Sequence, residues 1–122
     1  MAAPNILSAT SIYGKTVGAA LNTDLNNPLL ANAGSSNKLL KINSIIVANI
    51  DGTNAAAVSV EFYNGSTAYR LASTISVPAD STLVVMGKDS PIYLEEGCSI
   101  RGGASAGSDL EIVISYDELD DA

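Results

Sequence analysis

The chain has 122 residues, 13 acidic against 6 basic side chains, no histidine, no tryptophan and one cysteine, Cys98. That length suits one domain with a real core. Without histidine there is no triad base, imidazole ligand or near-neutral pH switch, and one cysteine allows neither an internal disulfide nor a thiolate zinc cluster. A net charge of −7 argues against nucleic acid, whose binders rely on lysine and arginine, so the expectation is a protein that is not an enzyme.

The opening Met1-Ala2-Ala3-Pro4-Asn5 has neither the basic region nor the apolar stretch of a signal peptide. Aliphatic runs such as Ile45-Ile46-Val47-Ala48 are far shorter than the roughly 20 residues of a membrane helix. No membrane association is expected, and the lone thiol suits synthesis in a reducing cytoplasm. Residues 1–13 contain β-formers with weak alternation and read as an N-terminal arm or edge strand, with a domain over 14–122.

Gly14-Lys15-Thr16 matches the tail of a phosphate-binding loop, but Ala9 stands where the first glycine is required and Ile12 and Tyr13 are too bulky to wrap a phosphate. An exposed lysine beside a bend is the better reading. Residues 22–38, rich in asparagine, serine and glycine and carrying Pro28, read as a long loop. Residues 39–50 form a β-branched run expected to be covered on both faces for part of its length. A four-residue loop over 51–54 would then set Val47 against Val58 and Ile45 against Val60.

In Val58-Ser59-Val60-Glu61-Phe62-Tyr63 the apolar residues at 58, 60 and 62 share one face. Asn64-Gly65 is a strong hairpin signal, predicting a two-residue turn with positive φ at both positions. It sets Val60 opposite Tyr69 and Val58 opposite Leu71, with Glu61 and Arg70 diagonal on the other face. The same residues complete a glycosylation pattern with Ser66, which the hairpin explains without sugar chemistry. Further turns fall at Pro78-Ala79-Asp80-Ser81, Lys88-Asp89-Ser90-Pro91, Glu95-Glu96-Gly97 and residues 102–107.

Cys98 has no histidine or nearby lysine to activate it and reads as an inert, buried thiol. Arg101-Gly102-Gly103 has the form of an RNA-binding repeat, yet it occurs once in an acidic chain and reads as a bend between strands. Leu110-Glu111-Ile112-Val113-Ile114-Ser115-Tyr116 alternates cleanly. The carboxylates at Glu95-Glu96 and over 117–121 lack the ordered spacing of a calcium loop, so they read as solvated charge or as a face for a basic partner. No metal, cofactor or catalytic residue is expected. Turn signals from residue 39 to 116 recur about every 8–15 residues, which predicts an all-β fold, a single antiparallel β-sandwich of jelly-roll or immunoglobulin-like order.

Three stretches resemble small virion structural proteins of tailed bacteriophages, especially marine and cyanobacterial ones. They are Lys41-Ile42-Asn43-Ser44-Ile45-Ile46-Val47-Ala48-Asn49-Ile50-Asp51-Gly52-Thr53-Asn54, the segment from Ile75-Ser76-Val77-Pro78-Ala79-Asp80 through Ser90-Pro91-Ile92-Tyr93-Leu94-Glu95-Glu96-Gly97, and Ile114-Ser115-Tyr116-Asp117-Glu118-Leu119. The resemblance covers about residues 39–119, and its motifs are structural. It implies a capsid decoration or cement protein on the outer head surface, with a neck, tail or fibre component as the alternative and a receptor- or glycan-binding module behind both.

The implied partners are the major capsid protein or other virion proteins, with homo-oligomeric or lattice contacts, and the implied location is the virion. A rigid β-domain whose acidic charge keeps it off packaged DNA is compatible with that place. The contact residues expected on the arm are Asn5, Ile6, Leu7 and Tyr13. On the 22–37 loop they are Asn26, Asn27, Leu29 and Leu30, because loops on a rigid scaffold commonly carry binding.

Overall fold

A computed structural model describes residues 11–120. Its elements are all strands: β1 (Ser11–Ala20), β2 (Pro28–Ala31), β3 (Lys38–Asn49), β4 (Ala56–Tyr63), β5 (Ala68–Val77), β6 (Thr82–Met86), β7 (Ile92–Leu94), β8 (Ser99–Ala104) and β9 (Leu110–Asp120). One sheet runs β1-β9-β3-β6, with β7 also pairing β3, and the other runs β2-β8-β4-β5.

Every pairing is antiparallel, and the pairs are nested. β1 pairs β9, β2 pairs β8, β3 pairs β6 and β7, and β4 pairs β5. The chain is therefore one long hairpin with its tip at residues 64–67, rolled so that alternate strand pairs fall into opposite sheets. That is a jelly-roll sandwich, which decides between the two strand orders left open by periodicity.

The period-two pattern builds the core. In the first sheet Val17, Ile114 and Ile45 lie opposite one another, as do Ala19, Ile112 and Val47, and all point inward. From the second sheet Val58, Val60, Ile100 and Ala72 meet them. Burying one such aliphatic side chain is worth about 1.5–3 kcal/mol.

Several local expectations are corrected. The 51–54 segment does not close a hairpin, since β3 and β4 belong to different sheets. The cause is Asn49, buried at the end of β3, whose Nδ2 donates to Asn54 O and Val77 O at 3.0 and 2.9 Å while its Oδ1 accepts from Asp51 N. It pins a crossover from one sheet to the other. Asn32 does the same work on the β2–β3 connection: its Nδ2 donates to Lys38 O and Leu94 O at 2.8 and 2.9 Å.

The Asn64-Gly65 loop has four residues, with Tyr63 opposite Ala68. Asn64 Oδ1 accepts from both Ser66 N and Thr67 N, a side-chain turn that leaves only Gly65 at positive φ. Glu61 consequently faces Arg70 directly, and register shifts on either side of Val60 set it opposite Ala72.

Arg101-Gly102-Gly103 is not a bend but the middle of β8. A Cβ at Gly102 would lie 2.7 Å from Ser59 O, and one at Gly103 would lie 3.0 Å from Asp24 O. The two glycines let β4 and the 22–24 loop press against β8. The 22–38 segment contains β2, and β1 runs unbroken across positions 13 and 14.

Candidate functional site: the β1 edge and the outer faces

The outer face of the first sheet carries a cross-strand row. Gly18 faces Val113, Val113 faces Ile46, and Ile46 faces Val84. Alternation turns these residues away from the core, and Val84 and Val113 are 59% and 43% exposed. The row ends at Gly18 on β1, where small residues leave an open depression of about 310 Å³ lined by Gly18, Ala19, Ala20, Glu111, Ile112 and Val113. Paired hydrophobic side chains on an open sheet face are suited to contact with another protein.

β1 borders this face, with Ile12 and Tyr13 more than half exposed. Tyr13 lies opposite Glu118 on β9. Glu118 receives Lys15 Nζ at 3.1 Å and Lys38 Nζ at 3.5 Å. The hydrogen bond from Lys15 to Glu118, followed by their charge attraction, raises the Lys15 pKa above its ordinary value. The carboxylates expected as an acidic tail are instead part of a strand, because β9 continues through Asp117, Glu118 and Asp120 between β1 and β3.

The predicted contact residues divide. Tyr13 is exposed on β1. Asn26 and Asn27 precede β2 in a loop that closes on itself: Asn26 N donates to Asp24 Oδ1 at 3.0 Å and Asn27 N to Asp24 O at 3.3 Å. Asn27 O also accepts from Gly102 N. Leu29 and Leu30 are half-buried and pack their side chains on the core. β5 and β6 lie against each other along one side of the sandwich, so β1 and β2 share the opposite side. Asn5, Ile6 and Leu7 lie outside the described residues.

The outer face of the second sheet holds a charge cluster that alternation alone does not reveal. Glu61 is only 3% exposed. Its Oε1 accepts from Arg101 Nε and Nη2 at 3.0 and 2.7 Å, and Arg70 Nε lies 3.3 Å from Oε2. The Arg101 guanidinium also stacks 4.0 Å from the Tyr63 ring. Two arginines from adjoining strands satisfy the buried carboxylate, so the cluster is a clamp across β5, β4 and β8. The sequence placed Glu61 on this face but gave no sign that Arg101 would cover it.

Cys98 is half-buried between the β7–β8 turn and β8, and burial is the main reason its thiol pKa lies above the ordinary value. Glu96 Oε2 accepts from Asn37 N at 2.9 Å, tying that turn to the β2–β3 connection.

No protein-family model and no curated protein matches the chain. Among solved structures it is similar to a protein described under Bacillus endospore appendages that form a novel family of disulfide-linked pili. The identity is 15% and the TM-score 0.50, over 92% of this chain and 90% of that one. A pentameric capsid protein isolated from metagenomic phage sequences gives 12% identity and a TM-score of 0.37, over 97% of this chain and 63% of that one. The VP2 subviral particle of infectious bursal disease virus gives 12% and 0.34, over 91% of this chain and 32% of that one. The fold is what the chain shares with the appendage protein.

Proposed function

We propose that the chain is a structural protein of a phage virion, a decoration or cement protein that binds the outer surface of the head and bridges neighbouring major capsid subunits. The observation that carries this reading is the cross-strand apolar row Val113–Ile46–Val84 on the outer sheet face, its two valines exposed, beside the β1 strand. Such a surface fits protein contacts. The family resemblance read from residues 39–119 supplies the virion, and the net charge of −7 favours a place away from packaged DNA. A fold shared with a pilus-forming protein is compatible with a repeated building unit.

In this reading the protein works without catalysis. It binds the assembled shell and not its dispersed subunits, so occupancy shifts the balance toward the shell by mass action, and many weak contacts add across the lattice. Mass spectrometry of purified particles with copy counting is the test. Hundreds of copies per particle support the head assignment. A dozen or fewer would move the protein to the neck, tail or fibre, and absence from particles would overturn the virion reading altogether.

A further inference from the structure

We infer that β1 is a self-association edge, at which a second copy of this chain adds its own β1 antiparallel to form one continuous sheet across a two-fold axis. The inference begins from how differently the four sheet edges are built. β2 has four residues, starts at Pro28 and pairs β8 with a register shift. On the far side of the first sheet the edge is divided between β6 and β7, of five and three residues. β5 pairs β4 with two register shifts and holds Thr74 at a φ of 52°. Short strands, proline, bulges and charge are the devices that keep sheet edges from pairing with other chains.

β1 has almost none of them. Its ten residues pair β9 from Ser11↔Asp120 to Ala20↔Glu111 without a register shift, and its other edge pairs no strand among the described residues. It contains no proline and no acid. Its one charged side chain, Lys15, is drawn toward β9, where its Nζ meets Glu118 at 3.1 Å.

The occupant follows from charge and symmetry. The chain carries −7, so two copies repel over most of their surface, whereas β1 is an acid-free strip along which they can approach. An antiparallel strand is self-complementary about a two-fold axis, so a second copy needs no further feature to fit. That axis keeps matching faces together and therefore passes through a residue that meets itself. Centring on Lys15 sets like charges opposite each other, which is unfavourable. Centring on Thr16 avoids this, pairs residues 12–20 of both copies, sets Gly14 opposite Gly18 of the second copy and lets the Thr16 hydroxyls meet. Nine paired residues form roughly eight to ten intermolecular backbone hydrogen bonds. This dimer does not depend on the virion reading, because it is a property of the isolated chain.

Sedimentation of the full chain across a concentration series, with designed cysteines, tests it. The wild type is expected to move from the 12.5 kDa monomer to a species of twice that mass as concentration rises. Thr16→Lys, at an exposed position, should weaken the dimer about fivefold or more by facing itself across the axis. In a Cys98→Ser background Thr16→Cys should form a disulfide-linked dimer. Gly14→Cys alone should not, but a mixture of Gly14→Cys and Gly18→Cys chains should cross-link to each other. A Cβ has room at both glycines, the nearest atoms lying 3.8 Å away. A wild type that stays monomeric throughout overturns the inference. So does a dimer indifferent to Thr16→Lys, or self cross-linking at Gly14→Cys in place of Thr16→Cys.

Discussion

Replacing Gly102 by alanine tests how closely β8 and β4 must approach. The added Cβ would sit 2.7 Å from Ser59 O, 3.3 Å from Leu29 Cδ1 and 3.4 Å from Val60 Cα. The first contact is about 0.8 Å short of the roughly 3.5 Å at which non-bonded atoms rest comfortably. Ser59 O belongs to backbone, and β4 is held on its other side by β5, so the strain cannot be relieved by a rotamer change. Overpacking of this kind costs about 2–3 kcal/mol. Unfolding entropy of roughly 2.1 cal/mol/K per residue gives about 0.26 kcal/mol/K for a chain of 122 residues, so Tm should fall by about 8–12 °C. The assay is thermal unfolding followed by circular dichroism, with Gly107→Ala as the control, since nothing lies within 4 Å of a Cβ there. If Gly102→Ala melts within about 2 °C of wild type, less than 1 kcal/mol is at stake and the close-approach argument fails.

Glu61→Gln leaves two arginines without their counter-charge. Because Arg70 is about two-fifths exposed, the loss should be about 1–3 kcal/mol, below that for a fully buried pair, and chemical denaturation would read it. Asn49→Ala removes the donor to Val77 O inside the sandwich and should cost about 2–3 kcal/mol, whereas Asn54→Ala, on the exposed loop, should be near neutral in the same denaturation experiment. The raised Cys98 pKa means that the unfolded thiol ionises first: its stabilising effect is complete below pH 9.0 and is lost as pH rises toward the folded value. Cys98→Ser should therefore flatten the alkaline limb of a stability–pH curve, and a limb of unchanged slope would refute that assignment. Deleting residues 2–10 should leave a folded domain that no longer occupies undecorated heads, and full occupancy by that variant would exclude the segment from the interface.

The strands that could be read from sequence are those with one dry face and one wet one. Val58 and Val60 in β4, and Leu110, Ile112 and Ile114 in β9, are buried where alternation placed them. β1 showed little alternation because Gly14, Gly18, Ala19 and Ala20 carry almost no side chain to alternate. β2 is only four residues long, too short for any period. Connectivity was hidden for a different reason. Asp51-Gly52 carries the same turn chemistry whether the chain returns to its own sheet or crosses to the other. What decides is Asn49, whose amide needs acceptors from both the following loop and the end of β5. One signal was available: Ile45 and Val47 face inward, so period two places the side chain of Asn49 inward as well, where an amide has to find partners. Asn32 offered no such clue, standing in an asparagine-rich segment with no phase to read.

The open edge itself follows from the nesting. In a rolled hairpin the first strand pairs the last, so β1 has β9 on one side and, among the described residues, no strand on the other. The opposite edges are finished by elements from the middle of the chain, where a turn at residues 87–91 divides β6 from β7 and shifts in register irregularise β5. Among the described residues, protection of β1 rests on the strand itself, which supplies one lysine, drawn toward Glu118 on β9. A strand of this kind either pairs with another chain or becomes an aggregation site. Pairing with a second copy resolves that conflict at the edge and leaves the Val113–Ile46–Val84 row free. Each dimer then presents two such rows, related by the two-fold axis, on the same side of one continuous sheet. A twofold array of apolar rows can engage two neighbouring subunits at once, so under the proposed reading the paired edge and the apolar face would act as one bridging unit.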